Sequence, residues 1–115
     1  MQFNFLFSQI NICKNKYDSV SILKYAQQKG LLLLPKGFTL ETIAPYSSMK
    51  PIATFDKNKC RWTIVSRTYK QINKKKYKLS NGCTIEIIKT VIIDAYTSRI
   101  LTSQKNYKKH YNFEW

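Results

Sequence analysis

Apolar positions along the first half of the chain recur at helical spacing. Between a capping residue at Asp18 and a stop at Gly30, they fall on one face of a helix. This pattern predicts a helix over about 19–29. The run 31–34 predicts a buried strand or extended segment, and 39–44 predicts a short helical turn.

In the second half, the pattern changes to β-branched and aromatic residues, which favour strands. We expect strands at 52–56, 62–69 and 83–94. From about Thr97 onward, Ile100 and Leu101 stand among polar residues and predict a surface helix with a narrow apolar stripe. Together these elements predict an α+β fold.

Turn-forming residues divide the chain. The stretch 45–51 contains two prolines and two serines and predicts a linker, which suggests a boundary near residue 49. We therefore divide the chain into an N-terminal extension at 1–49, a module at 50–109 and a tail at 110–115. Within the module, 73–76 is a basic connection and 80–82 a turn.

Positive charge is concentrated in the module. The formal net charge of the whole chain is +14, of which 1–49 carries +3, 50–109 carries +12 and the tail −1. Such a charge attracts a polyanion or an acidic protein surface. Basic residues interleaved with aromatics, as in 59–62, 67–70 and 105–109, are compatible with nucleic-acid binding, although no recognised nucleic-acid motif accompanies them.

The residue types needed for catalysis or metal binding are scarce. Cys13, Cys60 and Cys83 form no C-x-x-C pair, and His110 is the sole histidine, so we expect reduced thiols with neither a zinc site nor a disulfide framework. The six carboxylates are scattered and predict no general acid/base pair. We therefore expect a protein that is not an enzyme.

No apolar run is long enough to span a membrane, because Leu31–Leu34 stops at Pro35 and a spanning helix needs roughly 20 residues. The apolar N-terminus has no preceding basic region, so we expect no secretory signal. If the protein acts in an organelle, it is made there or is seen here after processing.

One stretch of the module resembles a known family. Lys50-Pro51-Ile52-Ala53-Thr54-Phe55-Asp56-Lys57-Asn58-Lys59-Cys60 is similar to the start of the α subunits of cryptophyte phycobiliproteins. A later tyrosine, a lysine-rich connection, a strand that begins with cysteine and a basic Lys-Asn-Tyr segment follow in the same order. The resemblance covers about 50–109, and the same module occurs in red-algal phycobilisome linker and scaffolding proteins.

The resemblance implies a small antiparallel β-ribbon followed by a helix, here with a partly helical N-terminal extension. It also implies a covalent bilin at Cys60, with Arg61 pairing a propionate, although scaffolding relatives need not carry pigment and Cys60 is then a packed or interface thiol. The implied interface residues are Phe55, Asp56, Trp62, Tyr69, Ile85 and Ile87. The extension, with Phe3, Phe5 and Phe7, either inserts into a phycobiliprotein ring or caps the thin ribbon.

The function we expect is that of a non-enzymatic phycobilisome linker. It would dock on the β and α chains of phycoerythrin or a related phycobiliprotein, contact other linkers, and fix the arrangement of hexamers for light harvesting. Its location would be the plastid, on the stromal side of the thylakoid membrane. The alternative is a basic RNA-binding accessory protein of an organellar ribosome, and a bilin lyase would need a catalytic constellation that the sequence lacks.

Overall fold

The protein is built on one antiparallel sheet in which each strand pairs with the next along the chain. The computed structural model describes residues 13–43, 49–72 and 83–111. Its strands are β1 (Ile52–Asp56), β2 (Arg61–Ile72), β3 (Cys83–Asp94) and β4 (Ile100–Tyr111). The order across the sheet is β1-β2-β3-β4. Helices α1 (Ser19–Gln28) and α2 (Leu40–Ile43) precede the sheet.

Some predictions fall on stretches outside the described residues. These are the aromatic start with Phe3, Phe5 and Phe7, most of the proline-rich linker, the basic connection and turn between β2 and β3, and the last four residues of the tail. Within the described part of the chain, no helix is long and apolar enough to cross a membrane.

Helix α1 begins and ends where the sequence predicts it, because both ends are capped. At its start, the Asp18 carboxylate accepts from the Ser21 N–H, and the Ser21 hydroxyl accepts from the Asp18 N–H, which is a capping box. At its end, Gly30 has a φ of 70°, and the Leu31 N–H donates to the Ala26 carbonyl. This Schellman arrangement satisfies the last carbonyls and turns the chain towards the sheet.

The hydrophobic core lies between α1 and one face of the sheet. Opposite residues in antiparallel strands share a face, and the register places Trp62 opposite Ile93 and Ile64 opposite Val91. All four side chains are buried together with Ile22 and Ala26 of α1. The N-terminal stretch and the β strands therefore share one core.

A disulfide joins Cys13 to Cys60 and corrects the expectation of reduced thiols. The two cysteines are 47 residues apart, and their Cα atoms lie 5.3 Å from each other. Next to this bond, the Ala95 N–H donates to the Cys60 carbonyl, and the Lys16 N–H donates to the Ala95 carbonyl. The segment before α1 is thus attached covalently to the β1–β2 turn and by a hydrogen bond to Ala95 at the end of β3.

The predicted ribbon followed by a helix is wrong, because the residues assigned to that helix form β4. After β3, the Asp94 carboxylate accepts from the N–H groups of Tyr96 and Thr97. These bonds shape a tight turn that returns the chain antiparallel to β3. Its residues then alternate across a sheet, so Ile100 and Leu101 belong to a strand with a bulge opposite the Ile92–Ile93 step.

Candidate interaction surface

One face of the sheet carries the hydrophobic core at one end. Beyond the core, lysines and apolar side chains lie together on this same face. The residues of this basic surface are Lys70, Ile85, Ile87, Lys89, Lys105, Tyr107 and Lys109. Their common face follows from the register, which keeps opposite residues on one side and alternate residues on different sides. Three of the lysines and Tyr107 are exposed, whereas Lys89 and the isoleucines are half-buried.

The register sets the pattern of this surface. Ile85 lies between Lys70 of β2 and Lys109 of β4, so an apolar side chain stands between two cations. In the next row, Tyr107 lies opposite Ile87 and is 65% exposed. Such a mixture of exposed tyrosine, aliphatic side chains and cations is typical of binding interfaces.

Lys89 and Lys105 lie directly opposite each other on neighbouring strands. Two like charges in that arrangement destabilise a sheet. Among the described residues of this face there is no carboxylate to compensate them, because Glu86 and Asp94 point to the opposite face. An anionic partner would relieve this repulsion, so the surface is suited to binding one.

The opposite face carries a carboxylate cluster centred on Glu86. One carboxylate oxygen of Glu86 lies 3.2 Å from Arg67 Nη1 and 3.4 Å from the Tyr69 hydroxyl. The other lies 2.9 Å from His110 Nε2. The cluster therefore ties β2, β3 and β4 together where the core no longer does so.

These neighbours favour the charged form of Glu86. The hydrogen bond from His110 lowers the pKa of the carboxyl most, and the Arg67 charge and the Tyr69 hydroxyl lower it further. Burial acts in the opposite direction, but the pKa stays below the ordinary value of a glutamate. Glu86 is consequently an anion at neutral pH, and its carboxylate interacts with groups on its own face of the sheet.

The two residues implied in bilin binding lie at the β1–β2 turn. Cys60 is bonded to Cys13, so its Sγ is already used in this structure. Arg61 follows it on the face opposite the core, in register with Asp94. The N–H groups of Thr97 and Tyr96 do most to lower the pKa of the Asp94 carboxyl, and the Arg61 charge adds to them. The Nε of Arg61 is buried and finds no hydrogen-bond partner among the described residues.

The structure distributes the predicted interface residues over three places. Phe55 and Trp62 pack with their rings tilted by 37° and their centroids 5.0 Å apart, and Trp62, only 5% exposed, belongs to the core. Asp56 shapes the β1–β2 turn by accepting from the N–H groups of Asn58 and Lys59. Tyr69 joins the Glu86 cluster, so Ile85 and Ile87 alone lie on the basic surface.

Sequence reasoning did not assemble the basic surface. It noted 105–109 as a basic and aromatic stretch. Because a helix was assigned there, it did not use the spacing of two between Ser103, Lys105, Tyr107 and Lys109. A period of two in these residues is the signal that predicts one face of a strand. Lys70 and Lys89 join the surface through pairing with distant strands, which the local pattern does not reveal.

The chemistry available at this surface is electrostatic and apolar binding. Within the described ranges, no group of three or more histidine, cysteine, aspartate or glutamate side chains could hold a metal ion. No family model, curated protein or solved structure matches this chain. The arrangement of side chains on the sheet is therefore the basis on which a function is proposed.

Proposed function

We propose that this chain is a non-enzymatic linker or scaffolding protein of the phycobilisome. It docks through the basic surface on phycoerythrin or a related phycobiliprotein, on the stromal side of the thylakoid membrane in the plastid. The observation that carries the proposal is the lysine-rich face with half-buried Ile85 and Ile87 at its centre, on which the described strand residues include no carboxylate. Opposite charge on an acidic partner would supply steering and orientation, and the apolar side chains would supply affinity.

The stretch that resembles the phycobiliprotein module also supports this proposal. It forms β1, the turn and the start of β2, with Phe55 anchored on Trp62 and Asp56 closing the turn. These are structural roles, since they fix the strand pair on which the rest of the sheet is built. In this proposal the docking contacts are made by the basic surface.

The disulfide affects whether the proposed linker carries pigment. A bilin thioether at Cys60 and the Cys13–Cys60 bond use the same Sγ atom, so the two exclude each other. We infer a disulfide-bonded form without bilin at Cys60, in which the protein contributes arrangement and no pigment. Absorbance and fluorescence of the purified protein in the visible range, with and without reductant during bilin loading, distinguish the two forms.

Size-exclusion chromatography with purified phycoerythrin tests the function. We expect co-elution of the wild type at high salt, because the isoleucines and Tyr107 bind without charge. At low salt, where the charges are little screened, the double variant Lys89→Glu/Lys105→Glu should lose about tenfold or more in affinity, as two attractive charges become repulsive. A failure of the wild type to bind phycoerythrin would contradict the proposed function.

A matched control separates local charge from net charge. Lys57 and Lys59 are exposed and lie in the β1–β2 turn, at the other end of β2 from Lys70, so Lys57→Glu/Lys59→Glu changes the net charge by the same amount. This control should bind phycoerythrin nearly as well as the wild type. An equal loss in both double variants would show that overall charge, and not this surface, drives binding.

RNA binding is the second candidate, and Tyr107 favours it. This exposed ring stands on one face with Lys105 and Lys109 two residues away on either side, which is how a sheet offers stacking and phosphate contacts together. Such binding falls steeply as salt rises, because phosphate contacts release counterions. Addition of a structured RNA to the phycoerythrin mixture discriminates the two functions by which partner is retained at high salt.

A further inference from the structure

Strand β4 is a long edge strand whose outer side is open. It stands last in the sheet and pairs with β3 on its inner side, and no other described strand lies beside it. Residues 100–110 are all exposed. An edge of this length presents a row of unpaired N–H and C=O groups, to which another strand can add.

The hydrogen bonds at the end of β3 identify which groups of β4 point outward. The Asp94 N–H donates to the Arg99 carbonyl and its own carbonyl accepts from Ser98, whereas the Ala95 N–H donates to Cys60. Even-numbered residues of β3 thus turn their backbone groups towards β4, and odd-numbered ones towards β2. By the register, the even-numbered residues of β4 between 102 and 110 are bonded to β3. The outward groups belong to Ser103, Lys105, Tyr107 and Lys109.

These four residues are also the ones whose side chains lie on the core-bearing face of the sheet, where three of them form part of the basic surface. A strand added to this edge would therefore place its alternate side chains beside Lys105 and Lys109. We propose that the outer edge of β4 binds an extended, acidic segment of the partner protein by strand addition. The carboxylates of that segment, at every second position, would meet the lysines.

The positive charge of β4 favours an acidic segment over a second copy of this chain as the added strand. β4 carries Lys105, Lys108 and Lys109 and no acidic residue. Antiparallel pairing of two β4 edges would bring these lysines together, which destabilises the pair. The proposal deepens the proposed function, since it states how the partner is held, and it rests on that function only for the identity of the partner.

Ser103→Pro tests the edge directly. Proline removes the outward N–H of residue 103 and leaves the ladder between β3 and β4 intact, and edge strands tolerate it there. The probe is a labelled synthetic peptide of alternating glutamate and valine, measured by fluorescence anisotropy. We expect Ser103→Pro to weaken peptide binding by about tenfold or more, whereas Ser103→Ala, which keeps the N–H, binds like the wild type.

Amide hydrogen exchange of the wild type provides a test that does not depend on the variant. On peptide binding, the amides of Ser103, Lys105, Tyr107 and Lys109 should become slower to exchange, because they gain partners. The amides between them, already bonded to β3, should change little. Unchanged exchange at the four outward amides, or equal peptide affinity of Ser103→Pro and Ser103→Ala, would overturn the proposal.

The same variants separate this proposal from the proposed function. If phycoerythrin binds both Ser103 variants equally and the two variants also have equal affinity for the peptide, strand addition is wrong and the linker function stands. If the peptide binds as expected but phycoerythrin does not co-elute, the edge is confirmed and the linker function fails. A concentration-dependent dimer that Ser103→Pro abolishes would identify a second copy as the occupant and overturn the acidic segment.

Discussion

At the scale of single residues, Glu86 is an acidic side chain in a basic protein, and its environment explains why it is charged. Its carboxylate is shared among Arg67, Tyr69 and His110 on one face of the sheet, with Lys108 directly opposite in β4. These groups stabilise the anion, so folding lowers the pKa of the carboxyl. Stability must then depend on pH through this group.

Glu86→Gln should destabilise the protein at neutral pH and have progressively less effect in acid. A lowered pKa in the folded state contributes stability above the ordinary pKa of glutamate, and that contribution is lost as pH falls through the lower pKa of the folded state. The measurement is the difference in Tm between wild type and variant across a pH series. Tyr69→Phe is the control, since it removes only the 3.4 Å contact and leaves every charge in place. A difference in Tm that stays constant with pH would contradict this explanation.

At the scale of elements, the ends of α1 and the bounds of β1 and β3 could be predicted because their signals are local. Asp18 and Gly30 mark the helix by their own chemistry, and the turn residues around β1 and β3 limit those strands. β4 was missed because almost all its side chains are polar and exposed, so no apolar alternation distinguishes it. Its conformation depends on pairing with β3, which is a tertiary effect.

The cap at the end of α1 permits a prediction about backbone conformation alone. Gly30 has a positive φ, and a Cβ added there would meet no atom within 4 Å. Gly30→Ala should therefore lower the free energy of unfolding by about 1–2 kcal/mol through the left-handed backbone only. Urea unfolding measures this change, with the exposed Gln28→Ala as a control that should stay within about 0.5 kcal/mol of the wild type. Equal stability of both variants would show that the cap does not hold the helix end.

At the scale of the whole molecule, a small core is supplemented by a covalent bond between the segment before α1 and the β1–β2 turn. The core cluster lies under one end of the sheet, and the basic surface lies beyond it. The disulfide could not be predicted from sequence, since an odd number of cysteines spaced far apart gives no pairing. Likewise, the basic surface needed the strand register, because Lys70, Lys89 and Lys105 come from three different strands.

Removal of the disulfide should cost much of the stability of so small a core. Closing a loop of 47 residues restricts the unfolded chain, which corresponds to about 4 kcal/mol in the chain-entropy description. We expect Cys13→Ser to unfold at markedly lower urea concentration than the oxidised wild type. Reductant should bring the wild type down to the level of the variant and leave the variant unchanged. A wild type insensitive to reductant would mean that the bond does not contribute.

The Cys13–Cys60 bond also determines how the molecule would bear mechanical load. Tension applied through the residues before Cys13 passes through the disulfide directly into the β1–β2 turn. The whole closed loop between the two cysteines, which includes α1, α2 and β1, is bypassed by that force. A partner pulling on the N-terminal end would therefore apply force to the sheet from β2 onward, while α1, α2 and β1 carry none of it along the chain.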